Sequence, residues 1–429
     1  MKNLTFWLLL LAAAFGFFYY QQNHRISHDE LIHAESPHDR SSVSSFGGLA
    51  YLNFLRANAG LPTLAHSSVL EKSARNHARY LLQNPEDGHD ERHRSNPFFT
   101  GNRPADRAQR VGYFYDGVHE NISTGFYPYP EEVDTHLPVQ QQIDGLMTAI
   151  YHRFSLLEQG IDEAGAAFEY RDGRTSVAIN QGNHQFNYYC GLGRVYPEPG
   201  RRYYQNACNN HAIVYADEIK AQREFLYVVY PQGNFAMPDF HGEHPDPMPG
   251  YEFTGNPVSI AFAESAGKIR MKSFKLYQGK TEIEKVKVMT ASNDPNHTFS
   301  DRQFALFPLS PLEYDTAYRA VFEYERNGKS KKAEWTFRTK KPDYPYFIVK
   351  GGEKLAIESG KKYFIHWKDF WCQRECEEYV YRQRGKAKLE VMERQIGGMV
   401  VRVTGDKGDD VRLTPKEEND KAVLLYIWQ

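Results

Sequence analysis

The sequence predicts an α+β domain followed by an antiparallel β-sandwich and a small β-rich domain. Helical and strand patterns alternate between residues 46 and 183, and short alternating runs bounded by turn residues fill residues 225–339. More short strands follow up to residue 429. At about 150 residues per domain, a chain of 429 residues has room for three such domains.

The charge balance excludes one large class of function. Lys and Arg number 52 and Asp and Glu number 54, which gives a formal net charge of −2. A nucleic-acid-binding protein normally carries a basic field or stripe. We therefore expect a protein that binds no nucleic acid.

The N-terminal segment predicts export. An apolar run at residues 4–20 follows Lys2, and Ala12, Ala13 and Ala14 could supply a small-residue cleavage site. The run is long for the core of a signal peptide and close to the shortest membrane span. We therefore expect residues 1–20 to be a signal peptide or an N-terminal membrane anchor, and the protein to be secreted or periplasmic. The polar residues 21–45 are expected to form a linker.

Two helices can be placed in the first domain, which we assign to residues 46–200. Ser68 and Glu71 form a capping box, and Leu70, Ala74, His77, Ala78 and Leu81 share one face of the helix that follows. His77 on this apolar face is expected to be a packed, hydrogen-bonded core residue. A second helix is predicted from about residue 139 to residue 157, with His152 opposite its apolar stripe.

The cysteines and the later strands define the rest of the chain. Residues 201–222 form a connection, residues 223–341 the β-sandwich and residues 342–429 the small domain. Four cysteines allow three pairings, and two local disulfides in an oxidising compartment are favoured. The expected pairs are Cys190 with Cys208 and Cys372 with Cys376.

Three short polar segments of the first domain carry residues able to do chemistry. The first is residues 88–93, with His89, Glu91 and His93; the second is residues 119–122, with Glu120; the third is residues 151–153, with His152. Histidine and glutamate are common on protein surfaces, so no single segment is informative when taken alone. Their order and spacing are what make them informative.

In that order the segments resemble the CAP superfamily, also called the SCP domain, which includes pathogenesis-related and cysteine-rich secretory proteins. The resemblance covers about residues 46–185. It includes an opening helix at residues 52–56, the Glu-Asn-Ile signature at residues 120–122 and the His-Arg of the bacterial subgroup at residues 152–153. The residues from 304 to 339 similarly resemble bacterial Ig-like modules.

The resemblance implies an α-β-α sandwich with a cleft in which His and Glu side chains can hold a divalent cation. Carried over by position, the ligands are His89, Glu120 and His152, with His93 and Glu91 as weaker candidates. Ala149 stands where animal and plant relatives have a second glutamate. Two imidazoles and one carboxylate suit zinc or a similar metal.

Three functions follow from these features. The favoured one is a non-enzymatic module that binds an unidentified protein or lipid of the cell envelope. A metal-dependent hydrolase of peptide or envelope material is the first alternative, since three ligands leave a position for water. In the second alternative the β domains act as adhesion or spacer modules. A polar cluster at residues 241–246 is interpreted as an exposed loop rather than a metal site.

Overall fold

The structure, a computed structural model, describes residues 30–127, 136–220, 224–240, 242–368, 379–395, 397–416 and 418–429. The chain divides into two compact units. One comprises residues 39–340, and the other brings residues up to 38 together with residues 341–429. The six α-helices of the described residues all lie in the first unit: α1 (Gly48–Asn58), α2 (Ser68–Leu81), α3 (Pro104–Arg110), α4 (His136–Thr148), α5 (Ile150–Leu156) and α6 (His184–Gly191).

The first domain is a four-stranded sheet covered by helices on both faces. Its strand order is β2-β4-β5-β3, antiparallel except for the parallel pair β2 and β4. Helix α2 packs on one face of the sheet, and α1 and α4 pack on the other. The strands up to this point in the chain are β1 (Leu31–His33), β2 (Ala65–His66), β3 (His119–Phe126), β4 (Glu163–Arg171) and β5 (Arg174–Gly182).

Helix α2 forms largely as the pattern predicts. All five residues expected on its apolar face are buried: Leu70, Ala74, His77, Ala78 and Leu81. The N-cap, however, is Ser67, whose side chain accepts a hydrogen bond from the backbone N–H of Leu70. Glu71 is drawn instead to His66 and Arg75, so the capping box predicted from Ser68 is wrong.

The single helix predicted for residues 139–157 is two helices. Ala149 has extended backbone angles, with ψ 113°, and α5 starts afresh at Ile150. Ala149 and Ile150 are buried in an apolar cluster with Phe240, Met248, Phe299 and Phe307. The prediction of one continuous helix is wrong because periodicity does not register this packing, which comes from residues 240–307.

A disulfide-linked connection follows the first domain. Cys190 at the end of α6 is bonded to Cys208, as predicted. The backbone of Cys208 also forms an isolated antiparallel β-bridge with Tyr115 of the first domain. A small hairpin here consists of β6 (Tyr203–Tyr204) and β7 (Val214–Tyr215).

The β-sandwich of the first unit has two sheets, with strand orders β15-β16-β12-β8 and β14-β13-β17-β18-β9. Aromatic side chains from both sheets, such as Phe262, Phe274 and Phe322, fill its core. Its strands are β8 (Tyr227–Tyr230), β9 (Gly233–Ala236), β10 (Asp239–Phe240), β11 (Thr254–Gly255), β12 (Val258–Phe262), β13 (Ile269–Gln278), β14 (Thr281–Glu282), β15 (Val286–Met289), β16 (Gln303–Pro308), β17 (Ala317–Arg326) and β18 (Lys329–Thr339).

The second unit is also built from two sheets, with orders β1-β20-β26-β25-β22 and β19-β21-β24-β23 around a common core. Strand β1 pairs in parallel with β20, so residues 31–33 differ from the linker expected for residues 21–45. The remaining strands are β19 (Tyr346–Val349), β20 (Lys354–Ile357), β21 (Lys362–Trp367), β22 (Tyr379–Arg384), β23 (Lys388–Gln395), β24 (Gly398–Thr404), β25 (Asp410–Pro415) and β26 (Val423–Ile427).

Some predictions fall on residues outside the described ranges. These are the signal peptide or anchor at residues 1–20 and the pair Cys372 and Cys376. Among the residues that are described, none of the helices is long and apolar enough to span a membrane.

Candidate functional site

Strand β3 separates the polar residues of the Glu-Asn-Ile segment onto opposite faces of the sheet. Successive strand residues point to opposite sides. The Glu120 side chain is only 1% exposed and meets groups from α2 and α3. Asn121 faces the other way and donates to Ser155 Oγ of α5 at 3.0 Å and to Gln181 Oε1 at 2.9 Å. The strand thereby supports α5, the helix that carries His152.

Glu120 is surrounded by basic side chains. Its Oε1 accepts hydrogen bonds from Arg107 Nη2 at 2.7 Å and from His89 Nδ1 at 3.0 Å. The Nε2 atom of His77 lies 3.6 Å from the same oxygen. The other oxygen, Oε2, is buried and has no hydrogen-bond partner among the described residues.

His77 and Glu91 complete a buried network beneath Glu120. His77 Nδ1 lies 3.0 Å from Glu91 Oε1, and its Nε2 lies 3.1 Å from the carbonyl oxygen of Gly88. Both partners only accept hydrogen bonds, so a ring that satisfies both must be doubly protonated. Glu91 Oε2 accepts from the backbone N–H groups of Thr100 and Gly101 at 2.6 and 3.2 Å. His77 is therefore the hydrogen-bonded core residue expected, and Glu91 serves this network.

These neighbours keep Glu120 ionised. Burial by itself would raise the pKa of its carboxyl group, but the positive charges of His77 and Arg107 and the hydrogen bond from His89 hold that pKa well below its usual range. In this buried network the carboxylates of Glu91 and Glu120 both lie beside the Arg107 guanidinium and the His77 ring.

His89 and His152 stand side by side at the edge of this network. Their rings are stacked, with centroids 6.3 Å apart and planes inclined by 27°. The His89 side chain is 44% exposed and that of His152 is 15% exposed. The structure thus brings His89 next to both Glu120 and His152.

His152 has a partner that sequence reasoning missed. Its Nδ1 lies 3.0 Å from Oε2 of Glu243, a buried carboxylate of the β-sandwich domain. Glu243 belongs to the polar cluster at residues 241–246 that was interpreted as an exposed loop. That interpretation is wrong for Glu243, although His244 is exposed. The residues around Glu243 show no hydrophobic periodicity, and Glu243 lies 91 positions after His152 in the sequence.

His93, the weaker histidine candidate, belongs to a different cluster. Its Nδ1 lies 2.9 Å from Asp87 Oδ2. Burial alone would raise the pKa of Asp87, but hydrogen bonds from Tyr80, the backbone of Arg92 and His93 lower it to about 2. Glu86, Asp87 and His93 have potential ligand atoms that all lie within 4.8 Å of one another. Within the described ranges, no other group of three or more His, Cys, Asp or Glu side chains meets this condition.

The paired imidazoles are the part of this site that suits a metal. A carboxylate accepts hydrogen bonds, so a neutral ring that donates through Nδ1 has its free lone pair on Nε2. In the described part of the chain, no hydrogen bond joins either Nε2 to another residue. Metal-binding histidines commonly have such a carboxylate behind the ring.

The family of this first domain follows from its sequence. Residues 49–191 match the model of the cysteine-rich secretory protein family, CAP. This part of the chain is a CAP domain, and the Ig-like sandwich and the small β-rich domain follow it. The CAP family and the Cys190–Cys208 disulfide fit an extracellular protein. No curated protein shows significant similarity to the chain.

Solved structures give weaker likenesses. An outer surface protein from Borrelia burgdorferi is 18% identical, with a TM-score of 0.25, over 32% of this chain and 88% of that protein. An I-band fragment of titin is 9% identical, with a TM-score of 0.17, over 61% of this chain and 81% of the fragment. The fold assignment rests on the family match and on the sheets and helices described above.

Proposed function

We propose that this protein is an exported, non-enzymatic binding module whose cleft holds a divalent metal ion, with zinc favoured. His89 and His152 would hold the ion through Nε2. The observation that carries the proposal is that two neighbouring imidazoles each have Nδ1 directed at a buried carboxylate. Glu120 then acts behind His89 through Oε1, which accepts hydrogen bonds from both Arg107 and His89.

The donor set fits such a metal. Neutral imidazole is a good ligand for zinc and other first-row ions, and a carboxylate behind each ring raises its basicity. Two protein ligands leave coordination positions for a partner. A bound metal would supply a Lewis-acidic contact for an oxygen-bearing group of an envelope protein or lipid.

The state of Glu120 favours binding over hydrolysis. An efficient general base has a pKa close to the working pH. The pKa of Glu120 is lowered far below that by His77 and Arg107, which makes its carboxylate a weak base. A metal-dependent hydrolase therefore stays the alternative, and it requires turnover that vanishes with chelator and returns with metal.

Zinc titration of the full chain tests the proposal. We expect one zinc ion per chain by elemental analysis and calorimetry in the wild type, and no stoichiometric binding in His89→Ala/His152→Ala. The matched control is His184→Ala, an exposed histidine of the same domain, which should bind zinc like the wild type. Stoichiometric zinc in the double variant would overturn the site.

A further inference from the structure

Glu243 enters the cleft from outside the CAP domain. It lies between β10 and β11 of the β-sandwich domain, whereas the CAP match ends at residue 191. Its side chain is 2% exposed. The carboxylate accepts hydrogen bonds from the backbone N–H of Tyr151 at 3.2 Å and contacts Nδ1 of His152 at 3.0 Å. The Glu243 side chain thus contacts both the backbone of α5 at Tyr151 and the ring of His152 on the same helix.

The loop that carries Glu243 is fixed on both sides. Phe240 and Met248, before and after Glu243, are buried in the same apolar cluster as Ala149 and Ile150 at the start of α5. Asn296 of the sandwich donates to the backbone oxygen of Asp246 at 2.7 Å and to the Tyr151 hydroxyl at 2.9 Å. These contacts hold the carboxylate at the helix with little freedom.

We infer that Glu243 is a positioning residue and that the cleft is a composite of two domains. The Glu243 carboxylate keeps the proton of His152 on Nδ1 and orients the ring, so that Nε2 remains the ligand atom beside His89. This inference rests on the proposed function only in naming zinc as the ligand. It assigns to the β-sandwich domain a direct part in the chemistry of the CAP cleft.

A purely structural role makes a different prediction. If Glu243 only satisfied the N–H groups at the start of α5, its removal would destabilise the helix and leave the tautomer of His152 unchanged. A neutral imidazole without such a partner has no carboxylate to retain its proton on Nδ1. The tautomer therefore separates positioning from helix capping.

The experiment compares the full chain with Glu243→Met and Glu243→Gln. Methionine keeps the length of the side chain and removes every oxygen acceptor, while glutamine keeps one. Two-dimensional ¹⁵N NMR of the metal-free protein, at a pH where His152 is neutral, reports which nitrogen carries the proton. We expect the Nδ1–H form in the wild type and loss of that preference in Glu243→Met. Zinc titration should show a dissociation constant weakened by about 10- to 100-fold in Glu243→Met, with Glu243→Gln between the two.

One control variant accompanies this experiment, and different results would contradict the role of Glu243 and the proposed zinc binding. Glu264→Met, an exposed glutamate of the same domain, should leave both readouts unchanged. If Glu243→Met does not fold, Glu243→Gln gives the decision, since it too should weaken zinc binding. An unchanged tautomer and zinc affinity in a folded Glu243 variant would overturn the inference. Failure of the wild type to bind zinc would instead overturn the proposed function, and the tautomer would still decide the role of Glu243.

Discussion

Glu120 is a charged residue in a buried place, and its neighbours explain how it stays there. Removing a charge from water is costly unless it is paired and hydrogen-bonded. Arg107, His77 and His89 supply that compensation within 3.6 Å of one oxygen. Breaking such a set by neutralising one member leaves the others without their counter-charge.

Glu120→Gln should therefore lower the free energy of unfolding at pH 7 by about 3 kcal/mol, because Arg107 and His77 stay buried with one of the network's two carboxylates removed. Urea unfolding measures this difference. Glu284→Gln, at an exposed position, is the control and should lie within about 0.5 kcal/mol of the wild type. A Glu120→Gln protein as stable as the control would show that the network contributes no net stability.

The pH dependence of stability has a defined sign at Glu120. Its pKa in the folded protein is lowered by His77, Arg107 and His89 against the effect of burial, so the unfolded chain binds the proton more tightly. The stability that Glu120 contributes is thus complete above the ordinary glutamate pKa of about 4.3 and is lost as pH falls through the folded pKa. Unfolding curves between pH 7 and pH 3 should show a shallower decline in Glu120→Gln than in the wild type. An equal or steeper decline in the variant would contradict this assignment.

The residues of the cleft were predictable to different degrees. The family resemblance placed His89, Glu120 and His152 in one cleft, and the structure puts His89 next to both of the others. No sequence pattern indicates that Arg107 would share the Glu120 carboxylate with His89. Glu243 was missed because its neighbours in sequence, with glycine and proline among them, are typical of an exposed loop.

At the scale of elements, the break between α4 and α5 is the feature that most shapes the site. A helix start leaves backbone N–H groups without partners inside the helix. The N–H of Tyr151 finds one in the carboxylate of Glu243. The hydrophobic period over residues 139–157 could not reveal this, since it reports which side is buried and not where the backbone hydrogen bonds end.

The disulfide joins the end of α6 to the connection that leads into the sandwich. It closes a loop with a sequence separation of 18, so the chain-entropy model assigns it about 3 kcal/mol. Cys190→Ser/Cys208→Ser should lower the free energy of unfolding by about that amount in a non-reducing buffer. Reducing agent should bring the wild type to the stability of the variant. A double variant as stable as the oxidised wild type would contradict a stabilising role.

At the scale of the molecule, the CAP domain and the β-sandwich form one compact unit joined by buried polar groups. Arg153 is fully buried and donates to the carbonyl oxygen of Met147 at 2.6 Å and to Asn256 Oδ1 at 2.5 Å. Lys340 and Asp144 form a second buried pair at 3.0 Å. The strands of the β-sandwich were predictable from their alternation. These polar contacts have no sequence period, so the junction between the two domains was not predictable.

Arg153→Met tests this junction. The variant keeps apolar bulk and leaves buried acceptors, including Asn256 Oδ1, without a donor. We expect the free energy of unfolding to fall by about 3 kcal/mol or more, measured by denaturant. Arg171→Met, at an exposed hairpin position, should change it by less than about 0.5 kcal/mol. Equal stability of the two variants would mean that the junction does not depend on Arg153.

Anomalous diffraction at the zinc absorption edge, from crystals of the full chain grown with zinc, would locate the metal relative to the two imidazoles. We expect one peak about 2.0–2.1 Å from Nε2 of both His89 and His152, with Glu120 and Glu243 behind the rings. A peak only beside Glu86, Asp87 and His93, or no peak between the two imidazoles at saturating zinc, would contradict it.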